Sequence, residues 1–357
     1  MNKPLISIII PVYNVEKYLR DTLESIVKQT IGHEKLQVIM IDDCSTDNSR
    51  DIMDEYSNKY PNFISIKMKQ CSGMAGKPRN EGLEIVDADY IMFIDSDDVY
   101  HEKACENMYN AITKQDVDMV TANYIYMDED GTIWDNPVFN REEIKSFILN
   151  DDEFIKSFFI LNNAIWNKIF KTEYIKKYNN KFLEGVPAED AYFMFSYFFK
   201  AKKVYYFDEH IYCYRRRNGA TLSASWNRNK KYFDDINIVF KAVSELFRKE
   251  NRLDYYRYYY AKNLTSMIYK FIDTTQIDDE IRKQLLDEMY WFYAESKELD
   301  VVPCQESLQI LIDVILERKY DEAIKICKIV AEIRRYITEE QRDKMSKPKE
   351  TFYTTKK

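Results

Sequence analysis

Leu5-Ile6-Ser7-Ile8-Ile9-Ile10, followed at once by Pro11-Val12-Tyr13-Asn14, is the stretch on which the fold turns. A nearly unbroken, Ile-rich run is the pattern of a strand buried on both faces. Such a strand needs a helix on each side. Asn14 is placed to cap one, with Val15, Tyr18, Leu19, Leu23, Ile26 and Val27 as its apolar positions. The alternation then repeats. Leu36 to Ile41 reads as a strand, Asp47 to Lys59 as a helix and Phe63 to Met68 as a third strand. Pro78 sits where a helix can open, since its missing N–H costs nothing there. Tyr90 to Ile94 is a fourth strand, a helix follows from about His101, and Val117 to Tyr126 is a fifth strand closed by a turn at Asp128 to Gly131. Strand-helix alternation implies a mostly parallel sheet with helices on both faces, which binds ligands at the carboxyl ends of its strands.

The last third of the chain is built differently. All seven Gly lie at or before Gly219, and only Pro303 and Pro348 follow Pro187. Without turn-formers, amphipathic runs dominate: Ile236, Val239, Phe240, Val243, Leu246 and Phe247, then Leu308, Leu311, Ile312 and Ile315, then Ala323, Ile324, Cys327 and Val330. The expected organisation is an α/β catalytic domain over residues 1–225, an α-helical C-terminal domain over 226–340 and a frayed tail over 341–357.

Composition narrows the function classes. The 357-residue chain is 45% hydrophobic and 31% charged, as a globular protein should be. Its net charge of -8 disfavours nucleic acid as a partner. The six Cys show no C-x-x-C spacing and read as reduced thiols. Met1-Asn2-Lys3-Pro4 leads straight into a strand, which argues against a cleaved leader, and the apolar runs are too short to cross a bilayer. A cytoplasmic protein is expected, resting at most against the inner face of the membrane.

Three polar clusters stand at strand ends: Pro11-Val12-Tyr13-Asn14, Asp42-Asp43-Cys44-Ser45-Thr46-Asp47 and Asp95-Ser96-Asp97-Asp98. In a parallel sheet they share one edge. The pair in Asp95-Ser96-Asp97 offers hard oxygens suited to Mg²⁺ or Mn²⁺ carrying a diphosphate. A solvated acidic loop capping the next helix is the plainer alternative. Asp42 and Asp43 suit a nucleobase N–H or a ribose hydroxyl, with N-capping of the next helix as the plainer alternative. In Cys71 to Asn80, Gly73 and Gly76 permit unusual backbone angles and Lys77 and Arg79 are cationic, so this loop can lie over a diphosphate, although it is no P-loop.

Taken in order, these clusters resemble the inverting glycosyltransferases of family 2, which have the GT-A fold. The likeness runs from about residue 4 to 220 and rests on Ile8 to Asn14, Asp42 to Asp47, Arg79-Asn80-Glu81-Gly82-Leu83, Asp95 to Asp98 and Glu189-Asp190. It implies a uridine site at Pro11, Tyr13 and Asp43, with Asn14 beside it, and Lys77 and Arg79 near the base or phosphates. It further implies Asp95 and Ser96 at the ribose or sugar, Asp97 on the metal and Asp190 as the catalytic base. Trp166-Asn167-Lys168 and Glu189 fall near the donor sugar and acceptor, and Arg215 and Arg217 near the diphosphate. A narrower likeness, carried by Gly76 to Asn80 and the tail from Trp291 through Pro303 to Ala331, is to bacterial wall teichoic acid N-acetylglucosaminyltransferases. It implies a homo-oligomer, a trimer or dimer, through the C-terminal helices. The family's metal-assisting His is not evident: His210 falls in an expected strand.

The chemistry implied is a single displacement. A UDP-sugar donor loses its diphosphate with metal help, while Asp190 takes the proton of a hydroxyl on a glycan or polyol-phosphate acceptor. Part of the crowd of Lys and Arg between residues 168 and 231 suits an anionic acceptor, with a solvated face as the equal alternative. A nicotinamide dehydrogenase is excluded by the missing G-x-G-x-x-G, and an aspartyl phosphatase by the missing D-x-D after the first strand. The rival class is a non-catalytic nucleotide- or glycan-binding scaffold on the same fold.

Overall fold

In a computed structural model, residues 3–134, 147–149, 163–217, 229–274, 277–301 and 306–345 are described. They form two compact units, one carrying the described residues up to Arg217 and the other those from Asn229.

The first unit is built on a sheet. Strands β1 (Ile6–Val12), β2 (Leu36–Asp42), β3 (Phe63–Lys67) and β4 (Tyr90–Phe93) run parallel in the order β3-β2-β1-β4. Val12 lies opposite Asp42 and Ile9 opposite Phe93, so the three acidic and polar clusters do leave one edge. The sheet then departs from the sequence expectation. The fifth long strand, β6 (Met119–Asp128), is not a neighbour of β4. A short antiparallel strand, β9 (Lys168–Lys171), stands between them, a segment that carries too few residues to show a period. Beyond β6 lies β10 (Val204–Arg216), parallel to it, and then β5 (Val99–Tyr100). The sheet is completed by β7 (Ile133–Trp134) on β6, across the expected turn at Gly131, and by β8 (Phe147–Leu149) on β10.

Helices cover both faces. Ile6, Ile8, Ile10 and Val12 of β1 pack with α1 (Leu19–Val27), α2 (Ser49–Lys59) and α4 (Ala104–Lys114) in one core. Ile9 and Ile41 point the other way, against Gly82 of α3 (Gly76–Glu84). On that side Phe93, Phe170, Phe182 and Phe193 meet edge to face or stacked, with Phe182 and Phe193 parallel at 4.0 Å. α5 (Thr172–Tyr178) and α6 (Glu189–Phe198) complete the unit.

One helix start differs from expectation. α1 begins at Leu19 rather than after Asn14, because Asn14 is left-handed (φ 47) and its side chain accepts from Thr46 N at 2.7 Å. α6 begins at Glu189, so Glu189 and Asp190 both lie in its first turn.

On β10 the register against β6 shifts between Phe207 and Tyr212. Before the shift Tyr205 and Phe207 pair with Val120 and Ala122; after it Tyr212 and Tyr214 pair with Tyr124 and Tyr126. The strand thus changes which of its alternate residues face the larger core.

The second unit is helical: α7 (Lys230–Lys249), α8 (Leu253–Asp273), α9 (Asp279–Glu288), α10 (Tyr290–Glu298), α11 (Glu306–Leu316) and α12 (Tyr320–Met345). Leu308, Leu311, Ile312 and Ile315 are all buried, as their spacing requires. Glu295 is buried with its charge answered by Ser244 Oγ, Arg248 Nη2 and Tyr256 OH. The last helix runs to Met345, past the expected start of a frayed tail; residues 346–357 lie outside the described ones. No helix among the described residues is long and apolar enough to cross a membrane.

Gly76 opens α3 with no room for a side chain: a Cβ there would meet Leu183 O at 2.1 Å, a backbone atom. Gly76→Ala is expected to cost roughly 1–3 kcal/mol by forcing the helix start away from that carbonyl. Thermal unfolding measures it, and an unchanged midpoint would mean that the Leu183 loop yields freely.

Candidate active site

Three carboxylates converge on one buried guanidinium. Arg79, on α3, is 3% exposed. Its Nη1 donates to Glu189 Oε1 at 2.6 Å and Asp190 Oδ1 at 2.9 Å, and its Nη2 to Asp95 Oδ1 at 2.7 Å. The guanidinium carbon stands 5.5 Å from the Phe182 ring centre, and Nε is buried without a partner. The end of β4 and the start of α6 are therefore joined through α3. Ala188, just before Glu189, holds a left-handed backbone (φ 57), which costs a non-glycine residue about 1–2 kcal/mol. This strain sits at the turn that delivers both acids.

Charge in this cluster is unbalanced. The Asp190 carboxyl is pushed up to about 8, chiefly by burial, with Arg79 opposing the rise and Glu189 and Asp95 adding to it. Burial raises Glu189 as well, against the pull of Arg79. Lys168 is fully buried, with Nζ donating to Ala164 O at 2.6 Å and Asn167 Oδ1 at 2.9 Å, and its charge also lowers Asp190.

Asp97 and Asp98 form a second cluster at the same strand end. The Asp98 carboxylate accepts from Tyr212 OH at 2.6 Å and Arg215 N at 2.7 Å, and burial holds its carboxyl well above the usual range. Tyr212 OH in turn accepts from Asp95 N at 3.2 Å. Asp97 pairs with Arg217, and its backbone carbonyl accepts from Arg215 Nε at 2.8 Å. Burial raises Asp97, with Arg217 opposing. Ser96 is buried, and its carbonyl accepts from Thr22 Oγ1 at 3.0 Å.

At the neighbouring strand ends, Asp43 is buried and orders the loop after β3. Its Oδ1 accepts from Ser72 N at 2.7 Å, and its Oδ2 from Ser72 Oγ at 2.9 Å and Gly73 N at 3.0 Å. Pro11 lies opposite Ile41 in the sheet, Tyr13 is 45% exposed, and Lys77 is half-buried in the first turn of α3.

Some singled-out residues are more enclosed than their expected roles suggest. Asn14 serves the turn facing Thr46. Trp166 is 7% exposed, stacked on Tyr212 at 4.3 Å and edge-on to Tyr124 at 4.6 Å. The Lys and Arg of residues 168–231 are not one free cationic surface: Lys171 pairs with Asp118, Lys181 with Glu84, Arg216 with Asp128, Lys230 with Asp234 and Lys231 with Asp235. His210 sits on β10 where the register shifts. Sequence reading missed Tyr212 and Phe182, whose apolar neighbours make them look like ordinary core.

Arg79→Met leaves three buried carboxylates without their shared cation. A loss of roughly 3–5 kcal/mol is expected at pH 7.5. The loss should shrink at pH 5, because carboxyls whose pKa is already raised then take up protons. Urea unfolding at the two pH values checks this; equal losses would show that Arg79 supplies packing over Phe182 rather than charge.

The chain is similar to known glycosyltransferases. The family model described as Glycosyl transferase family 2 matches residues 7–183, ending just short of Glu189-Asp190. Glycosyltransferase GlyG of Streptococcus pneumoniae serotype 4 is 31% identical over 254 residues, covering 68% of this chain and 80% of that one. The poly(ribitol-phosphate) beta-glucosyltransferase of Bacillus spizizenii is 30% identical over 69% of this chain, which spans only 38% of that relative's length. Among solved structures, Staphylococcus aureus TarS 1-349 in complex with UDP-GlcNAc superposes with TM-score 0.71 at 20% identity, covering 93% of this chain and 92% of that one. A Pyrobaculum calidifontis mannosyltransferase in complex with GDP-Man and Mn²⁺ shares the fold more distantly, with TM-score 0.51 at 13% identity over 94% of this chain and 87% of that one. The chain belongs to glycosyltransferase family 2: it is a glycosyltransferase with a GT-A fold and a helical C-terminal region.

Proposed function

We propose that the enzyme transfers a hexose, N-acetylglucosamine or a similar sugar, from a UDP donor to a hydroxyl of a cell-surface glycan such as teichoic acid, capsule or a lipid-linked polysaccharide, with inversion. The observation that carries this reading is the Arg79 bridge. Asp95, beside the diphosphate-side acids, and Asp190, the candidate base, contact two nitrogens of one guanidinium. Leaving-group and attacking sides are thereby held within a single side chain's width.

The acceptor oxygen bonds to the anomeric carbon as that carbon's bond to the diphosphate oxygen breaks. Asp190 takes the hydroxyl proton, and a carboxyl raised to about 8 is matched to that task at mildly alkaline pH. Tyr13, exposed at the strand end, offers a ring face to uracil. Asp43 keeps acceptor capacity on Oδ1, which takes a single bond from its own loop. The poly(ribitol-phosphate) substrate in one relative's name and the UDP-GlcNAc in the TarS complex support the acceptor and donor classes.

The residues fit a divalent cation of the Mn²⁺ or Mg²⁺ kind. Asp97 offers a part-buried hard oxygen, and burial, with Asp95 adding to it and Arg217 opposing, raises its carboxyl above the usual range. Among the described residues no three His, Cys, Asp or Glu side chains gather as a complete metal site. Asp97 would hold the ion with donor phosphates and water supplying the remaining ligands, which suits these metals. When bound, the ion neutralises charge on the departing diphosphate.

Asp190→Asn should lower turnover by roughly 10²–10⁴-fold while UDP affinity is kept. The wild-type kcat/KM should rise with pH through about 8, since the base acts only when ionised. Calorimetry and a UDP-release assay across pH decide the matter; near-normal turnover in the variant sinks the assignment. Asp97→Ala should remove the gain in UDP affinity that Mn²⁺ confers, read by titration with and without the metal.

A further inference from the structure

Three cations gather at the ring of Tyr18. The guanidinium carbons of Arg217 and Arg215 lie 5.0 Å and 5.1 Å from its centre, and Lys17 Nζ lies 4.9 Å away. The ring is 9% exposed and is fixed at its far end, where the hydroxyl donates to Glu129 Oε1 at 2.5 Å. Tyr18 belongs to none of the acidic or basic motifs. Its sequence neighbours mark it only as an apolar helix position, yet it precedes α1 and stands between that helix and the end of β10.

Two guanidiniums beside one ring repel each other unless something offsets them. Arg215 is held independently, through Asp97 O and through Asp21 Oδ2 at 3.0 Å. Among the described residues Arg217 has only the Asp97 carboxylate as its ion-pair partner, and its Nε is buried with no hydrogen-bond partner. An orphaned buried donor marks a place for an acceptor atom. Asp97 is also the acid suited to a divalent cation, so an arginine held by Asp97 alone would be released whenever Asp97 turned to that cation. A ring face carries no formal charge, does not compete for the metal, and holds a guanidinium in either state.

We propose that Tyr18 is a positioning residue whose ring keeps Arg215 and Arg217 aimed at the donor diphosphate beside Asp97. The proposal rests on the UDP-donor reading above for its ligand, but the platform itself is testable without any donor.

With arginine side chains isotopically labelled, the Arg215 and Arg217 guanidinium resonances should show ring-current shifts in the wild type and in Tyr18→Phe, and lose them in Tyr18→Leu. Titration with UDP and Mn²⁺ should then show affinity reduced by roughly 5- to 30-fold in Tyr18→Leu and kept within about twofold in Tyr18→Phe, with uridine affinity unchanged in both. Absence of the shifts in the wild type overturns the platform. Equal losses for uridine and UDP in Tyr18→Leu overturn it as well, because general damage to the fold would do the same. Intact shifts with no UDP binding by the wild type would overturn the donor reading and the diphosphate role while leaving the ring contacts in place.

Discussion

A single buried cation shared by three acids constrains everything around it. Arg79 reaches Asp95, Glu189 and Asp190 only if α3 starts where it does. That start depends on Gly76 clearing Leu183 O, and its depth depends on Gly82 lying flat on Ile9 and Ile41. The turn at Ala188 must be left-handed to bring α6 in from the other side. Each is a local cost or restriction with no purpose in an isolated helix. All serve one arrangement of charge, as expected where function overrides local preference.

The same arrangement leaves the site electrostatically incomplete. Asp97, Asp98, Glu189 and Asp190 are all raised by burial, and among the described residues Arg79 and Arg217 each keep a buried N–H without a partner. Excess acid and unmet donors side by side are what the proposed donor would answer, since it brings both a cation and phosphate oxygens. A purely structural ion-pair network would have closed these gaps with its own side chains, since half-satisfied polar clusters destabilise a core.

Much of this was legible in the sequence because strands buried on both faces announce themselves. Leu5 to Ile10 and Leu36 to Ile41 could be read with their polar ends, and those ends do meet at one edge. β9 could not be read. Four residues carry no period, and their antiparallel place between β4 and β6 follows from long-range pairing. Arg79 was legible as a cation but not as a bridge, because its partners lie more than a hundred residues away on α6 as well as nearby, just past the end of β4. Charge counting over residues 168–231 could not tell paired cations from the rest for a related reason: the countercharges on Asp118, Glu84 and Asp128 come from other elements.

The irregular stretch of β10 has a consequence for how this enzyme can diverge. Between Phe207 and Tyr212 it carries an odd number of residues beyond its partner strand, which inverts the phase of everything after it. Only in that phase do Tyr212 and Tyr214 meet Trp166, and only then does Arg215 reach Asp98 with its backbone. The segment works as a vernier between scaffold and chemistry. Insertions or deletions there are tolerable in even steps, whereas a single-residue change would leave a folded sheet that presents the wrong side chains.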